Sequence, residues 1–355
     1  MADVETGWPA AFAEEADEAD IVACFRLLLG RWPHDEEWRG HRMQAGQKLE
    51  RVVGGYLGSL EFARRGLLAA ADLGPVELTR LPEFAIHTEC HDAAVGQFVR
   101  ADNYEREVAS VFRRLLAPGA RVIDIGANIG YFTMLSAHLV GPSGAVLAVE
   151  PGARNARLVE ASRRVNGFDH VRVVQLAAST GPGMLRLNRT HSNGTTSSVP
   201  DETAALLAAE TVGCVALDSL LGPDERVDLV KVDVEGAEYL ALRGCQAMLA
   251  RCRPAIISEF SPSLMPGISG IDGPGFLGWL QSLGYGLAVI MPDGEAREAD
   301  PDEVMAEYRR RGSDHLDLLA RPLGAAAVAA PPGAPPATAG WRDRLLRRTL
   351  APRRR

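Results

Sequence analysis

A glycine loop between a short apolar run and a helical pattern is the sharpest chemical signal in this sequence. The segment VIDIGANIGYFT starts at Val122, and its Gly126 and Gly130 let the backbone turn tightly and approach a ligand where a Cβ would clash. The helix that begins near Tyr131 presents free backbone N–H groups over this loop, beside Asn128. The segment therefore predicts a cofactor-binding loop in which these residues contact the cofactor.

The spacing inside the loop argues against a dinucleotide cofactor. The pyrophosphate-binding pattern GxGxxG needs glycine at its third and sixth positions, which are Asn128 and Tyr131 when the count starts at Gly126. Asp124 precedes the loop, and its negative charge suits a ligand with an ammonium and a sulfonium group better than a diphosphate. S-adenosylmethionine (SAM) is such a ligand, and we predict that Asp124 contacts it.

Two later segments follow in the order that an adenosine site requires. Glu150 ends the apolar run VLAVE, just before Pro151, and a carboxylate in this place can accept both ribose hydroxyl groups. Ala177 and Ala178 then close the next strand, where small side chains can cup the adenine of a methyltransferase cofactor. The alternative is that Asp124 and Glu150 only cap helices. Because loop, acids and strand order agree, we predict that all these residues line a SAM site.

A dense run of carboxylates, KVDVEGAE, provides the candidate reactive groups. Its strand delivers Asp233 to the sheet edge beside the cofactor loop, Glu235 follows in the turn, and Glu238 falls where a helix dipole favours an anion. Methyl transfer to oxygen needs a group that positions the hydroxyl and helps to remove its proton. Asp233 is the first candidate for this role and Glu235 the second, while Glu238 is expected to cap the helix.

A divalent cation is the alternative use of these oxygen ligands. Hard cations prefer carboxylate oxygens, and Glu259 at the end of a later strand could join Asp233 and Glu235 in holding one. His87 and His91 mimic a second metal pair beside Cys90, but no third ligand lies near them in the sequence. No metal site is predicted from these patterns.

A polar segment, THSNGTTSS, starts at Thr190 and is a weaker candidate for contact with a polar acceptor. It follows the third predicted strand, and His191 in it could assist proton removal. A solvated loop without a catalytic role is the alternative. We retain His191 as a third catalytic candidate after Asp233 and Glu235.

The elements that must position these residues alternate between strands and helices, as is typical of a parallel sheet. Short apolar runs without alternation predict strands that are buried on both faces, and helical patterns separate them. The predicted strands are 121–125, 145–149, 171–176, 227–232, 255–259, 286–290 and 316–319, and the predicted helices are 131–139, 153–165, 237–250 and 275–283. This order predicts a doubly wound α/β sheet that binds its ligand beyond the carboxyl ends of the strands.

Composition divides the 355 residues into five parts. These are a disordered acidic N-terminus (1–19), a helical module (20–88), the α/β domain (89–321), an Ala/Pro linker (322–340) and a basic tail (341–355). The chain has a net charge of −8 although its tail is rich in arginine, so the body is acidic and a nucleic-acid partner is not expected. As a helix, the tail would suit an anionic membrane surface or an acidic partner; a disordered basic end is the alternative.

The sequence favours a cytoplasmic location. No stretch approaches eighteen apolar residues, and the first residues lack the basic and apolar regions of a signal peptide. The five cysteines form no CxxC pair, which favours reduced thiols. We expect a cytoplasmic protein, with peripheral contact at the inner membrane face through the basic tail as an open possibility.

Taken together, these segments resemble the FkbM family of SAM-dependent methyltransferases. The resemblance rests on VIDIGANIGYFT, VLAVEP, VALDSLL, VDLVKVDVEGAEYLALRG and RPAIISEF, which stand in the family's order between Asn103 and Phe260. It implies a class I methyltransferase with a Rossmann-like, mostly parallel sheet, and it places Glu105 near the cofactor carboxylate. It also implies methyl transfer to a hydroxyl of a sugar or glycan-linked acceptor.

The N-terminal module resembles a small helical domain of uncharacterised function that occurs in bacterial glycan-assembly proteins. The resemblance is carried by CFRLLLGRWP from Cys24 and YLGSLEF from Tyr56, and it is partial because Phe25 and Tyr56 replace the usual aromatic residues. It implies an adaptor or glycan-associated module, and a helical cap over the sheet edge is the alternative.

Two other functions stay open at this point. One is an O-methyltransferase of a secondary metabolite, and the other is a non-catalytic scaffold in glycan assembly. Intact Asp124, Glu150 and Asp233 argue against the scaffold.

Overall fold

The structure is a computed structural model that describes residues 14–65, 74–190 and 192–324. Two compact units divide between Gly74 and Pro75. The expected boundary at residue 88 therefore differs from the observed one. The reason is that residues just after Pro75 pair as a β-hairpin and pack on a helix of the second unit, a long-range contact that a local pattern does not reveal. The predicted basic tail and almost all of the predicted linker lie outside the described residues.

The first unit is helical in its described part. A capping box at Asp17 starts the first helix, and the helices surround a core that includes Phe25, Tyr56 and Ile21. Arg31 makes paired hydrogen bonds to Glu37 and to Glu61. The α-helices are α1 (Glu18–Ala23), α2 (Asp35–His41), α3 (Leu49–Leu57) and α4 (Leu60–Arg65), with a π-helix at Cys24–Leu29 and a 3₁₀ turn at Arg42–Gln44.

The second unit is built on an eight-stranded sheet. A separate hairpin, β1 (Val76–Arg80) with β2 (Ala85–Glu89), precedes it. The large sheet contains β3 (Arg121–Ile125), β4 (Ala145–Val149), β5 (Val171–Val174), β10 (Leu229–Val232), β11 (Ala255–Phe260), β12 (Tyr285–Ile290), β13 (Ala296–Glu298) and β14 (Leu316–Pro322). Its order is β13-β12-β14-β11-β10-β3-β4-β5, and β3, β4, β5, β10 and β11 run parallel. This is the predicted Rossmann-like, doubly wound, mostly parallel sheet.

Helices cover both faces of this sheet. The reason is that both faces of the sheet are apolar. In β3, for example, Val122 packs into one apolar cluster and its neighbour Ile123 into the other. The helices are α5 (Gly96–Arg100), α6 (Arg106–Leu115), α7 (Tyr131–Val140), α8 (Ala153–Val165), α9 (Thr203–Ala208), α10 (Glu238–Arg243), α11 (Gln246–Cys252), α12 (Met265–Ile268), α13 (Gly273–Ser282) and α14 (Pro301–Arg311). None of the described helices combines the length and apolar character that a membrane span needs.

The helix predicted over residues 237–250 is two helices, α10 and α11. Gly244 lies between them, in close approach to another segment: a Cβ there would stand 2.0 Å from the Ser179 carbonyl oxygen. The break thus follows from a contact with a segment 65 residues away in the chain. Helical periodicity alone could not reveal it.

A second, four-stranded sheet contains the segment expected to be a polar loop. Its strands are β6 (Ala177–Ala178), β7 (Gly183–Thr190), β8 (Asn193–Ser198) and β9 (Thr211–Val215), in the order β6-β9-β7-β8. Residues 193–198 are therefore a strand, which pairs antiparallel with β7. A search for alternating apolar residues does not find β8, because its residues are polar. The strand forms because its backbone N–H and C=O groups make hydrogen bonds with β7.

Candidate active site

A cavity of about 350 Å³ lies at the carboxyl ends of the parallel strands. It is at the point where the strand order reverses between β3 and β10, which is where doubly wound sheets bind ligands. Nine of the residues predicted from the sequence line it: Glu105, Gly126, Asn128, Glu150, Pro151, Ala177, Ala178, Asp233 and Glu235.

The turn at Gly126 brings two backbone segments together at the floor of the cavity. Gly126 has a φ of +81°, and a Cβ at this position would stand 1.8 Å from the Asp233 carbonyl oxygen. The Asp233 N–H in turn donates to the Ile125 carbonyl at 3.0 Å. Only glycine fits here, because a side chain would clash with the backbone of the turn after β10. Contact between Gly126 and the cofactor stays a prediction.

Glu150 is held beside this turn by backbone hydrogen bonds. Its carboxylate accepts the Asn128 N–H at 2.9 Å and the Gly152 N–H at 2.8 Å. Burial raises the pKa of Glu150 to about 7, although these hydrogen bonds oppose the shift. The side chain lines the cavity at the end of β4, where its oxygens can accept hydrogen bonds from the hydroxyl groups of a ribose.

Asp233 is fixed by an ion pair with a buried lysine. The Lys231 Nζ lies 2.6 Å from the Asp233 Oδ2 and 4.7 Å from the centre of the Phe132 ring. Burial by itself would lower the pKa of Lys231, but Asp233, Glu105 and Asp124 together hold that pKa above its ordinary value. Lys231 therefore stays charged, and it orients the Asp233 carboxylate.

Three other carboxyl groups lie in the same cavity with raised pKa values. Burial raises the pKa of Glu105 to about 8, and burial followed by the charge of Asp233 raises the pKa of Glu235 and of Glu259. Glu235 accepts a hydrogen bond from Asn193 at 3.4 Å, and Glu259 accepts one from Ser261 at 2.6 Å. Groups with raised pKa values can exchange protons near neutral pH.

Some predicted site residues lie off the main cavity. Asp124 is buried beside it, where its carboxylate accepts a hydrogen bond from Thr133 at 2.6 Å. A Cβ at Gly130 would approach Val159 at 3.1 Å, so this glycine allows α7 and α8 to pack closely. Tyr131 is buried among aromatic rings that include those of Phe84, Tyr104 and Phe132. His191 lies outside the described residues.

Glu238 caps the turn that carries the reactive carboxylates. Its Oε1 accepts the backbone N–H groups of Val234 and Gly236, at 3.0 and 3.1 Å. The side chain is fully buried under that turn and does not line the cavity. Glu238 thus lies in the first turn of α10 as expected, but its carboxylate holds the preceding turn and does not cap the helix.

Sequence reasoning missed several residues of the cavity. Phe98 comes from α5, Arg189 comes from β7, and Asp314 and His315 precede β14. Asp317 does not line the cavity, but it stands opposite Glu259 in the register of β14 with β11, and burial raises its pKa to about 6. The signal that could have found it is a carboxylate inside the apolar run LDLLA. Among the described residues, no group of three His, Cys, Asp or Glu side chains is arranged to hold a metal ion.

Comparison with known proteins identifies the domain that carries this cavity. Residues 124–287 match the family model of the methyltransferase FkbM domain. This segment is similar to an FkbM methyltransferase domain. The sequence-based prediction of a SAM-dependent methyltransferase is thereby confirmed, with SAM as its cofactor. None of the curated proteins matches this chain.

The chain is also similar to solved methyltransferase structures. An FkbM methyltransferase from Methylobacillus flagellatus KT is 15% identical with a TM-score of 0.38; the match covers 85% of this chain and 60% of that one. A SAM-dependent O-methyltransferase from Thermotoga maritima is 16% identical with a TM-score of 0.37, and coverage is 71% and 80%. TYW2 of M. jannaschii, solved with AdoMet, is 12% identical with a TM-score of 0.39, and coverage is 70% and 86%.

Proposed function

We propose that this methyltransferase transfers a methyl group from SAM to a hydroxyl group of a sugar or glycan-linked acceptor. The observation that carries the proposal is the distribution of polar groups along the sheet edge. Glu150 follows β4 on one side of Gly126, whereas Asp233, Glu235 and Glu259 lie at β10 and β11 on the other. This leaves one part of the cavity for an adenosine and another part, rich in hydrogen-bond acceptors, for a polyhydroxyl acceptor.

Two carboxylates have complementary roles in this proposal. SAM supplies the methyl group when it is bound. Asp233, oriented by Lys231, accepts a hydrogen bond from the acceptor hydroxyl and positions its oxygen. Glu235 accepts the hydroxyl proton, and burial raises its pKa, which favours uptake of a proton. His191 remains a third candidate for proton removal.

The carboxyl groups of the cavity favour an acceptor that carries hydroxyl groups. The carboxyl groups that line it include Glu105, Asp233, Glu235, Glu259 and Asp314, while Arg189 and His315 are the basic residues among its lining. Buried carboxyl groups with raised pKa values can donate as well as accept hydrogen bonds, which suits the hydroxyl groups of a sugar. A hydroxyl group of a secondary metabolite is the alternative.

A methyl-acceptor screen tests the proposal. Incubation with methyl-labelled SAM and fractions of the host's polysaccharides should label a glycan fraction, and the label should survive mild base because it is an ether. Label that mild base removes would indicate a methyl ester and contradict the hydroxyl assignment. Labelling of small metabolites alone would favour the alternative acceptor. Calorimetry without SAM binding would support the scaffold.

We further propose that the C-terminal basic tail contacts the anionic inner face of the cytoplasmic membrane. Contact with an acidic partner is the alternative. The seven arginines of the tail, within residues 341–355, support the membrane contact, because each basic residue near an anionic surface contributes about 1 kcal/mol. Sedimentation with anionic liposomes should pellet the full chain more than a chain that ends at residue 340. Equal pelleting would exclude the membrane contact.

A further inference from the structure

The hydroxyl of Ser192 is a buried polar group that the proposed chemistry does not use. Ser192 lies between β7 and β8, is 2% exposed and lines the cavity. Its Oγ has no hydrogen-bond partner among the described residues. A buried hydroxyl without a partner is destabilising. Because Ser192 also lines the cavity, a bound ligand can supply the missing partner.

The surroundings of Ser192 place it on the adenosine side of the cavity. The Asn155 Nδ2 donates to the Ser192 carbonyl at 2.8 Å, and the same nitrogen approaches the Glu150 Oε1 at 3.5 Å. The following residue, Asn193, accepts a hydrogen bond from the Asn128 Nδ2 at 2.9 Å. The start of β8 is thus tied to both segments that the sequence assigns to the cofactor.

We propose that Ser192 is a cofactor-binding residue whose hydroxyl hydrogen-bonds to the adenosine part of SAM. The proposal rests on SAM as the cofactor. It assigns the four-stranded sheet a direct role in the site, because the β7–β8 hairpin carries Ser192 to the side of the cavity where Glu150 lies. A ribose hydroxyl or an adenine nitrogen can each pair with a serine hydroxyl.

Ser136 provides a matched control within the same unit. It is also fully buried with an Oγ that has no partner among the described residues, but it lies in α7 and does not line the cavity. Removing either hydroxyl should leave the unfolding temperature of the cofactor-free protein unchanged or slightly raised, because an unsatisfied polar atom is lost. Only the loss at Ser192 should affect the cofactor.

The test compares Ser192→Ala, Ser136→Ala and the wild-type chain by calorimetry with SAM and with S-adenosylhomocysteine, which has the same adenosine. Ser192→Ala should weaken both ligands about 5- to 10-fold, roughly 1–1.4 kcal/mol, and reduce the ligand-induced rise in unfolding temperature. Ser136→Ala should bind both ligands as the wild type does.

Two results would overturn the proposal. One is unchanged affinity of Ser192→Ala for both ligands; the other is a clear drop in the unfolding temperature of cofactor-free Ser192→Ala relative to Ser136→Ala, which would show a structural partner for the hydroxyl. Failure of the wild-type chain to bind SAM would instead refute the cofactor on which the proposal rests.

Discussion

At the scale of single residues, Asp233 is the side chain on which the proposed chemistry depends most. Asp233→Asn keeps the shape of the side chain but removes the charge that Lys231 orients. We expect turnover to fall by a factor of about 100 to 10,000, while SAM affinity changes little. Labelled-methyl turnover and calorimetry measure the two effects. Asp224→Asn, in an exposed loop, is the control, and full activity of Asp233→Asn would remove the assigned role.

The buried cap Glu238 links stability to pH. Burial raises its pKa from 4.5 to about 7, so the folded protein keeps this proton between pH 4.5 and 7 while the unfolded chain releases it. The contribution of Glu238 to the free energy of unfolding therefore falls as the pH rises through this interval. Glu238→Gln has no proton to lose, and relative to the wild type it should gain up to about 3 kcal/mol between pH 4 and pH 8.

Urea unfolding at pH 4, 6 and 8 measures the effect of Glu238→Gln. The control is Glu298→Gln, an exposed position in β13, for which the difference from the wild type should not change with pH. A difference between Glu238→Gln and the wild type that stays constant from pH 4 to pH 8 would refute the role of this proton.

At the scale of elements, the junction of β3 with the turn after β10 decides whether the site can form. Gly126→Ala places a Cβ against the Asp233 carbonyl oxygen and also strains a residue with φ of +81°. Gly167→Ala, at φ +66° with open space around it, carries the strain alone. We expect about 1 kcal/mol lower stability for Gly167→Ala with unchanged SAM affinity.

For Gly126→Ala we expect a larger loss of stability and at least tenfold weaker SAM binding, because the backbone at the cavity floor must shift. Thermal unfolding and SAM titration of both variants separate the strain from the clash. Equal behaviour of the two alanine variants would mean that the close approach at Gly126 does not matter.

At the scale of the whole molecule, the two compact units allow a direct test of where the cofactor site resides. All the residues that line the cavity lie between Ala94 and His315, within the second unit. A chain that begins at Pro75 should therefore bind SAM with an affinity within about threefold of the full chain, as measured by calorimetry. Loss of binding in a chain that remains folded by circular dichroism would show that the first unit contributes to the site.

The sequence by itself determined the elements whose signal is local. Strands β3 and β4 and helix α8 have the predicted bounds, because an apolar run or a helical period needs only neighbouring residues to be recognised. The glycine loop and the order of the acids after the strands likewise indicated the cofactor, since parallel strands bring their carboxyl ends to one edge. The hairpin before α5 and the strand β8 lacked such a local signal.

Only the tertiary structure decided which polar side chains line the cavity and which are buried elsewhere. It turned Asp124 toward Thr133, set Asp317 opposite Glu259, and carried Ser192 to the side of Glu150. Each of these depends on strand pairing or packing between segments far apart in the chain, or on the direction of a side chain within a buried layer. No run of neighbouring residues encodes that information, because it arises when the whole sheet assembles.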